Sequence, residues 1–563
     1  MPAEQLVAGG SGKARGRKPD IYADEKSDVR RRSAMLGSAA AAALVTLGVP
    51  ARAIAGGASG EVDTHIELVA EAGKVQINAG SPTRVWRYRG KLLRGDAGAL
   101  QAIDGSYLGP IIRVRRGQRI RIDLVNALPE STIVHWHGLH VPEDMDGHPR
   151  FAIAPGARYV YEFTVNNRAG TYWFHPHPHG RTGKQVYAGL AGLFIVSDPE
   201  ETALALPSGA QELLLVIQDR NIDADNQFVY VGSAGGSLGQ RGRGGMMGGR
   251  MGGGMMGGGM GPMMSGMMGV LGDRILVNGA VPARREVKRR AHRVRVLNGS
   301  NTRTLKLAWS DRTPLTVIGS DGGLLSAPLQ RAYLMLAPAE RVELWVDFGA
   351  WPAGATPMLV NLAFDGGIDS GGVMGSATAL ADGAAFDIQP FKIAAGPAGT
   401  STLPAMLSTI DAPQPERAVN HQRPKLFEPT MGMMVWGING ASFDMLGASD
   451  YETVRLGTEE VWEFRNEGRG SMMGMVMPHS MHVHGLQFRI LSRTVGGAFA
   501  GNYESVSQGF VDTGWKDTVL VMPGERVRIL LRFEDYPGLF LYHCHMLEHE
   551  DTGLMRNYRV RAA

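Results

Sequence analysis

The chain carries two kinds of segment in which charged and apolar residues alternate, and each kind occurs three times. Three segments end in asparagine: RGQRIRIDLVN at Asn126, AHRVRVLN at Asn298 and GTEEVWEFRN at Asn466. Three others open on a proline turn: Pro155 to Phe163, Pro338 to Phe348 and Pro523 to Phe533. Alternation at period two predicts strands that bury one face. Because both kinds recur in the same order, the pattern predicts three antiparallel β-sandwiches in series.

The length of 563 residues is sufficient for three such domains and a leader. We therefore expect an all-β protein. We predict these divisions of the chain: a targeting segment at 1–53, a first sandwich at 54–205, a second at 206–395 and a third at 396–563.

The N-terminus has the pattern of an export signal. Three arginines, Arg30 to Arg32, precede an apolar run from Ala34 to Val49, and Ala51-Arg52-Ala53 has the form of a cleavage site. Paired arginines before such a run are typical of twin-arginine export. A basic tail or a membrane anchor are the alternatives, but the run is short for a span of roughly 20 residues. We expect a periplasmic or otherwise exported protein.

Removing this leader changes the charge balance. The first 53 residues hold nine Lys and Arg against five acids, which accounts for the whole formal charge of +4. The remainder is balanced, so no excess of basic residues predicts nucleic-acid binding. No further apolar run of about 18 residues occurs, and we expect no membrane span in the mature chain. We also expect a monomer.

Histidines form a second repeat that omits the middle unit. One His-x-His pair on a strand is usually a partly exposed polar face, but four clusters in matching places predict metal binding. Between His179 and His479 only His292 and His421 occur. The four clusters are HWHG (His135, His137), FHPHPHG (His175, His177, His179), PHSMHVHG (His479, His482, His484) and HCHMLEH (His543, Cys544, His545, His549).

The last cluster holds the only cysteine of the chain. One cysteine cannot form an internal disulfide, and a buried free thiol is the alternative to a ligand. Two histidines and a thiolate form the trigonal set that copper favours for electron transfer. In a strand, His543 and His545 would face one side and Cys544 the other. Two copper sites could therefore share three consecutive residues.

These four clusters resemble the copper-binding motifs of three-domain bacterial multicopper oxidases, in the copper-efflux oxidase and laccase branch. The stretches ILVNGA, LNGSNTR, SDGGLL and GWKDTV resemble that branch as well. The resemblance implies three cupredoxin-like Greek-key β-sandwich domains. It further implies one mononuclear copper in the third domain and a trinuclear cluster between the first and third.

The resemblance also implies a ligand set for four copper ions per chain. A type 1 copper would be held by His479, Cys544 and His549, and a type 2 copper by His135 and His482. The type 3 pair would take the remaining six ligands: His137, His175, His177, His484, His543 and His545. Half of the trinuclear ligands come from each end of the chain, so metal loading and domain docking should be coupled.

The implied activity is four-electron reduction of O2 to water, coupled to one-electron oxidation of phenols, aromatic amines or Cu(I). A role in copper tolerance would follow. Asp146 and Glu550 match acids that assist proton delivery, although each could instead be a solvated loop carboxylate. A non-enzymatic, exported copper-binding protein of the same fold is the second function class. Related non-enzymatic proteins lack the ligands that are all present here.

One position departs from the family pattern. Ten residues after Cys544, where an axial methionine is frequent, the chain has Leu554, followed by Met555. With Leu554 in that place the type 1 copper has no axial sulfur, which should raise its potential. Met555 as a replacement ligand is the alternative.

A methionine-rich segment is the last feature. Ten of the 23 residues from Met246 to Met268 are methionine, in a Gly-rich loop that we place at 242–269. Thioethers select Cu(I), so we expect a copper-capturing loop, the alternative being a linker with incidental methionines. The candidate ligands for substrate Cu(I) are Met246, Met247, Met255, Met256, Met472 and Met473.

Overall fold

A computed structural model describes residues 61–231, 237–238, 268–367, 380–432, 435–467 and 476–562. They belong to one compact unit, Glu61–Ala563. The predicted targeting segment at 1–53 and nearly all of the methionine-rich loop lie outside the described residues. Within the described ranges, no helix is long and apolar enough to span a membrane.

The first sandwich packs a four-stranded sheet against a five-stranded sheet around a core that includes Leu124, Trp136 and Phe174. The first sheet has the order Thr83–Arg94, Thr64–Val75, Arg119–Ala127, Arg158–Thr164. The second has the order Leu100–Gln101, Ile111–Arg115, Gly192–Ser197, Gly170–Pro176, Val134–His137. The strands that carry His135, His137 and His175 are therefore neighbours at one edge.

The middle sandwich packs a six-stranded sheet against a five-stranded sheet around a core that includes Val296, Leu344 and Phe391. The six strands are, in order, Arg274–Val277, Glu212–Arg220, Ala291–Asn298, Arg341–Asp347, Leu315–Ser320 and Gly323–Arg331. The five are Arg285–Val287, Phe386–Ile393, Met358–Asn361, Leu305–Trp309 and Leu334–Leu336. A short pair, Tyr230–Val231 and Ser237–Leu238, lies outside these sheets.

The third sandwich repeats the arrangement of the first around a core that includes Trp462, Phe488 and Cys544. Its four-stranded sheet has the order Lys425–Phe427, Thr458–Arg465, Glu525–Phe533, Phe488–Val495. The five-stranded sheet has the order Thr453–Arg455, Met555–Arg561, Gly538–Cys544, His479–Val483, Thr518–Val521. A hairpin of Pro429–Gly432 and Val435–Ile438 forms a separate two-stranded sheet.

Helices are short and lie in the connections. The α-helices are Thr182–Ala188, Pro199–Ala203, Ala500–Glu504 and Leu547–Asp551. The 3₁₀ helices are Ala97–Ala99, Pro149–Phe151, Gly209–Gln211, Phe348–Ala350, Pro415–Arg417, Asp450–Glu452, Gly497–Phe499 and Ser507–Gly509. The predicted all-β class with three cupredoxin-like sandwiches is thus confirmed. The exact boundaries at 205 and 395 stay predictions.

The two repeated segments pair with each other in every sandwich. Each asparagine-ended strand is the antiparallel neighbour of the proline-opened strand of its own unit. The backbone carbonyl of the asparagine accepts a hydrogen bond from one turn residue of the partner, at 2.7–2.8 Å. Those turn residues are Gly156, Ala339 and Gly524, at φ +80°, +76° and +75°. The side-chain amide of each asparagine also donates to two backbone carbonyls of its own sandwich, which explains why the residue recurs.

The predicted antiparallel pairing holds for most strand pairs of the sandwiches, but not for all of them. Each asparagine-ended strand also pairs in parallel with the first strand of its sandwich, for example Thr64–Val75 with Arg119–Ala127. Each opposite sheet also has one parallel pair, such as Ile111–Arg115 with Gly192–Ser197. The reason is the Greek-key connection, in which the chain crosses to the other sheet before it returns beside an earlier strand.

The prediction of half-buried strands also fails for one strand of the middle sandwich. Every residue of the Ala291–Asn298 strand is buried, including Arg293 and Arg295. The outward-facing arginines pair with Glu343 and with Glu201, which follows the first sandwich in the chain. The polar face of this strand is thus an interface, and charge pairing compensates for its burial.

Candidate metal centres

One candidate centre, the thiolate group, consists of His479, Cys544 and His549. Cys544 ends the Gly538–Cys544 strand, and the Leu547–Asp551 helix turns the chain back so that His549 faces it. The Cys544 Sγ atom lies 3.6 Å from Nδ1 of His479 and 3.6 Å from Nδ1 of His549. None of the three side chains is more than 2% exposed.

This spacing fits a bound metal ion. Bonds of ~2.0 Å to nitrogen and ~2.3 Å to sulfur, with an angle of ~120° between them, place the two donors ~3.7 Å apart. Two imidazoles and one thiolate around a single point form the trigonal set that copper favours. Burial raises the pKa of the Cys544 thiol to about 12. A cation beside Sγ would therefore be needed to stabilise the thiolate.

The second candidate centre is a cluster of eight histidines between the first and third sandwiches. All eight side chains are completely buried. The ligand nitrogens of seven of them fall into groups that lie within 4.8 Å of one another, and the eighth, on His545, lies 3.3 Å from His175 Nε2. The members of this eight-histidine cluster are His135, His137, His175, His177, His482, His484, His543 and His545.

Ring nitrogens of the cluster face each other with their lone pairs. His135 Nδ1 donates to the Asp146 carbonyl at 2.7 Å, and His482 Nδ1 donates to the Asp517 carbonyl at 2.7 Å. A carbonyl only accepts, so in each neutral ring the lone pair is on Nε2. These two Nε2 atoms lie 3.4 Å apart. Facing lone pairs repel unless a cation lies between them, so this pair fits a metal ion.

The same arrangement recurs in the rest of the cluster. His543 Nδ1 donates to the Cys544 carbonyl and His484 Nδ1 to the Asp146 carboxylate, so that both Nε2 atoms carry lone pairs, 3.0 Å apart. His177 Nε2 lies 3.3 Å from that of His543. On the other side, His175 Nε2 lies 3.4 Å from His137 Nδ1 and 3.3 Å from His545 Nε2. Two nitrogens bonded to one ion at ~2.0 Å are expected ~3.3 Å apart.

Burial also selects the protonation state that a metal requires. It lowers the pKa of His543 to about 3. Burial likewise places six other pKa values well below the usual range of histidine: those of His137, His175, His177, His482, His484 and His545. A neutral imidazole is the form that ligates. The lowered pKa values therefore favour neutral histidines in this cluster, which can bind metal cations.

The two centres are joined by three consecutive residues. Cys544 belongs to the thiolate group, whereas its neighbours His543 and His545 point to the eight-histidine cluster. This is the alternation that the sequence predicts for a strand. A covalent path of one residue in either direction therefore links the centres.

Both predicted acids lie in the wall of the eight-histidine cluster. Asp146 Oδ2 accepts from His484 Nδ1 at 2.8 Å. The Glu550 carboxylate lies 3.3 Å from His543 Nδ1 and 3.5 Å from His177 Nδ1. Both side chains are buried, which argues against solvated loop carboxylates. Burial, with Asp551 next to it, raises the pKa of Glu550 well above its usual value.

The sequence analysis missed three polar residues that support the centres. Asp517 Oδ1 accepts from His137 Nε2 at 3.0 Å, and Arg341 pairs with the same carboxylate. Glu548, next to His549, accepts hydrogen bonds from several surrounding groups. The sequence signal for Asp517 is the acid in GWKDTV, and the signal for Glu548 is the acid in HCHMLEH. Arg341 had none, because the middle unit carries no histidine cluster.

The structure also bears on the axial position. Leu554 is completely buried in the same core as Cys544, and its carbonyl accepts from the Cys544 backbone N–H at 3.0 Å. Met555 is buried too, but its side chain is not part of that core. This favours Leu554 as the residue beside the thiolate group. The six candidate methionines for substrate Cu(I) lie outside the described residues.

The sandwiches and the donor sets together define a copper protein with cupredoxin-like domains. Comparisons with known proteins agree. Two family models, each described as multicopper oxidase, match residues 86–201 and 418–563. A laccase of Bacillus subtilis (strain 168) is 30% identical over 536 residues, which cover 88% of this chain and 93% of that protein.

Two further similarities extend over most of the chain. The McoA multicopper oxidase from the hyperthermophile Aquifex aeolicus aligns with a TM-score of 0.69 and 32% identity, over 89% of this chain and 97% of that one. The cell division protein FtsP of Edwardsiella tarda is 30% identical, over 92% of this chain and 97% of its own length. The chain belongs to the multicopper oxidase family. It is a laccase-like copper oxidoreductase that uses O2.

Replacing the one cysteine tests the thiolate group. Cys544→Ser removes the soft ligand, so the intense blue absorption of a copper–thiolate bond should disappear together with oxidase activity. Because the substitution is small, the circular dichroism spectrum should stay that of the parent. A Cys544→Ser protein that still reduced O2 at the parental rate would contradict this assignment.

Proposed function

We propose that the protein couples one-electron oxidation of a donor at a type 1 copper to four-electron reduction of O2 to water at a trinuclear copper cluster. The thiolate group, His479, Cys544 and His549, would hold the type 1 ion. The pair of His135 and His482 would hold the type 2 ion. The type 3 ions would bind to the other six members of the eight-histidine cluster: His137, His175 and His545 for one, and His177, His484 and His543 for the other.

The observation that carries this proposal is the facing of histidine lone pairs across two sandwiches. Three of the facing nitrogen pairs join the first sandwich to the third: His135 with His482, His177 with His543, and His175 with His545. Such pairs are unfavourable without cations, so the arrangement would be retained for metal binding. Copper ions bound there would store electrons and deliver them to O2.

Residues of the chain would supply protons to this reaction. Glu550 is buried against His177 and His543, and burial raises its pKa, which favours the protonated form. A protonated carboxyl at that place can donate a proton to reduced oxygen. Asp146, which accepts from His484 Nδ1, would orient that ligand and accompany proton delivery.

The donor would be a phenol, an aromatic amine or Cu(I). The positions of residues before and after the methionine-rich loop favour Cu(I) as a donor, because these residues are hydrogen-bonded to Glu548, the neighbour of His549 in the chain. The Tyr230 hydroxyl and the Val270 backbone N–H donate to Glu548, at 3.1 and 3.3 Å. Met268 packs against the core that contains Cys544. Thioethers near this centre would favour Cu(I), and with the twin-arginine pattern they suggest an exported enzyme of copper tolerance.

Oxygen consumption tests the proposed function directly. Copper-loaded protein should consume one O2 for every four molecules of a one-electron donor, with no hydrogen peroxide released. A phenol and Cu(I), each with and without added copper, should be compared in parallel. Release of peroxide, or the absence of O2 uptake with either donor, would contradict the proposal.

Removing the methionine-rich loop separates the two kinds of donor. Deletion of 242–267, which retains Met268, should depress Cu(I) oxidation while phenol oxidation stays the same or improves. The matched control keeps the loop length and replaces its methionines by leucine. If thioethers matter, the leucine variant should behave as the deletion does. Equal effects on both donors would make the loop a linker.

The axial position provides a test by redox potential. Leu554→Met should add a weak thioether beside the thiolate group and lower the potential of its copper. Each drop of about 59 mV reduces the equilibrium constant for accepting one electron about tenfold. Difficult phenols should then react more slowly. The swap nearly conserves volume, so its packing cost should be under about 1.5 kcal/mol.

Leu531→Met is the matched control for this substitution. Leu531 is completely buried in the same core, on the opposite sheet. Its replacement should leave the potential unchanged. An unchanged potential in Leu554→Met as well would show that Leu554 does not occupy the axial place.

A further inference from the structure

The middle sandwich supplies none of the eleven candidate ligands, yet one of its side chains reaches the eight-histidine cluster. Arg341 begins the Arg341–Asp347 strand and is completely buried. Its guanidinium makes five hydrogen bonds, one for each N–H. The acceptors are the carbonyls of Thr171, Ala339 and Asp321, at 2.9, 3.0 and 3.1 Å, and the two oxygens of the Asp517 carboxylate, at 2.7 and 2.5 Å.

The Asp517 carboxylate also contacts a candidate ligand. Its Oδ1 atom accepts from His137 Nε2 at 3.0 Å. With the proton of a neutral ring on Nε2, the lone pair of His137 is on Nδ1, the atom that faces His175. The series of contacts runs from the middle sandwich through the third to the first. Contacts from all three sandwiches therefore influence which nitrogen of the His137 ring carries the lone pair.

The backbone around this contact is adapted to it. Gly138 follows His137 and has a φ of +85°. A Cβ atom there would overlap Asp517 Oδ2 and lie 3.0 Å from Arg341 Nη2. The glycine in HWHG thus leaves the space that the carboxylate and the guanidinium occupy. The contact is built into the ligand motif itself.

Planar bidentate pairing fixes the orientation of a carboxylate better than a point charge does. Without Arg341, the buried Asp517 carboxylate would lose two hydrogen bonds and its compensating charge, and would keep the hydrogen bond from Thr518 Oγ1 at 2.8 Å. His137 Nε2 would then be held less firmly, with Thr518 Oγ1, at 3.1 Å, as its remaining well-placed partner. The thiolate group would be unaffected, because none of its residues contacts Arg341 or Asp517 among the described contacts.

We propose that Arg341 is a positioning residue of the eight-histidine cluster: through Asp517 it holds His137 with Nδ1 toward His175, and copper is lost from this cluster without it. The proposal rests on the proposed function, since it takes copper as the occupant. Arg341 would act through its neighbour and touch neither copper nor O2. The middle sandwich would thereby take part in metal binding although it has no ligand.

A second buried arginine provides the matched control. Arg295, in the adjoining strand, also lies between the middle and first sandwiches and donates to Thr171 Oγ1 at 2.9 Å. It pairs with Glu343 and Glu212 at 2.5 and 2.6 Å and is 3% exposed. None of these partners contacts a candidate ligand in the described structure. Arg295→Met therefore removes a comparable interface charge and leaves the cluster alone.

The test compares copper content, blue absorption, electron paramagnetic resonance and thermal midpoint in the full-length protein. Arg341→Met should lose at least one copper ion per chain while keeping the parental blue absorption. Arg341→Lys, which keeps the charge but not the bidentate geometry, should show partial loss and a changed type 2 signal. Arg295→Met should lower the thermal midpoint and keep all the copper.

Three results would overturn the proposal. The first is a full parental copper content and an unchanged type 2 signal in Arg341→Met, or in Arg341→Lys if the Met variant does not fold. The second is an equal loss of copper in Arg295→Met, which would make the effect one of interface stability. The third is a copper-free parent after loading, which would overturn the proposed function as well and so is distinguishable from the first two.

Discussion

One constraint governs the docking of the first sandwich on the third: histidine lone pairs face each other across their interface and repel. Hydrogen bonds to carbonyls fix the tautomers of His135 and His482, so their free nitrogens cannot relieve this repulsion by sharing a proton. Burial prevents water and protonation from doing so. In the proposed function, cations would supply the remaining stabilisation, so that docking of the sandwiches and metal binding would be coupled.

Burial of the eight-histidine cluster also explains why acidic side chains lie around it. A cluster that is to hold several cations requires anionic groups nearby, and Asp146, Asp517 and Glu550 all lie against its histidines. Burial raises the pKa of both Asp517 and Glu550, but Asp517 is paired with Arg341. In the proposed function, Asp517 would therefore orient a ligand and Glu550 would supply protons. Their different surroundings assign these roles.

Strand alternation connects the two centres. Because successive side chains of a strand point to opposite faces, Cys544 and its two histidine neighbours serve different sites without any intervening residue. The short helix after this strand then returns His549 to the cysteine. The thiolate group and the eight-histidine cluster are in this way linked by the backbone of one strand.

Local patterns in the sequence determined the strands, the paired repeats with their asparagines, and the set of candidate metal ligands, because period-two alternation and ligand spacing are local properties. The sequence could not determine the parallel pairs or the complete burial of Arg293 and Arg295, since these depend on chain crossings and on packing between sandwiches. Arg341 and Asp517 are 176 residues apart, and no local signal relates them. Only the tertiary structure brings them together. The buried Asp517 carboxylate requires a cation, and folding supplies one from a residue that is distant in the sequence.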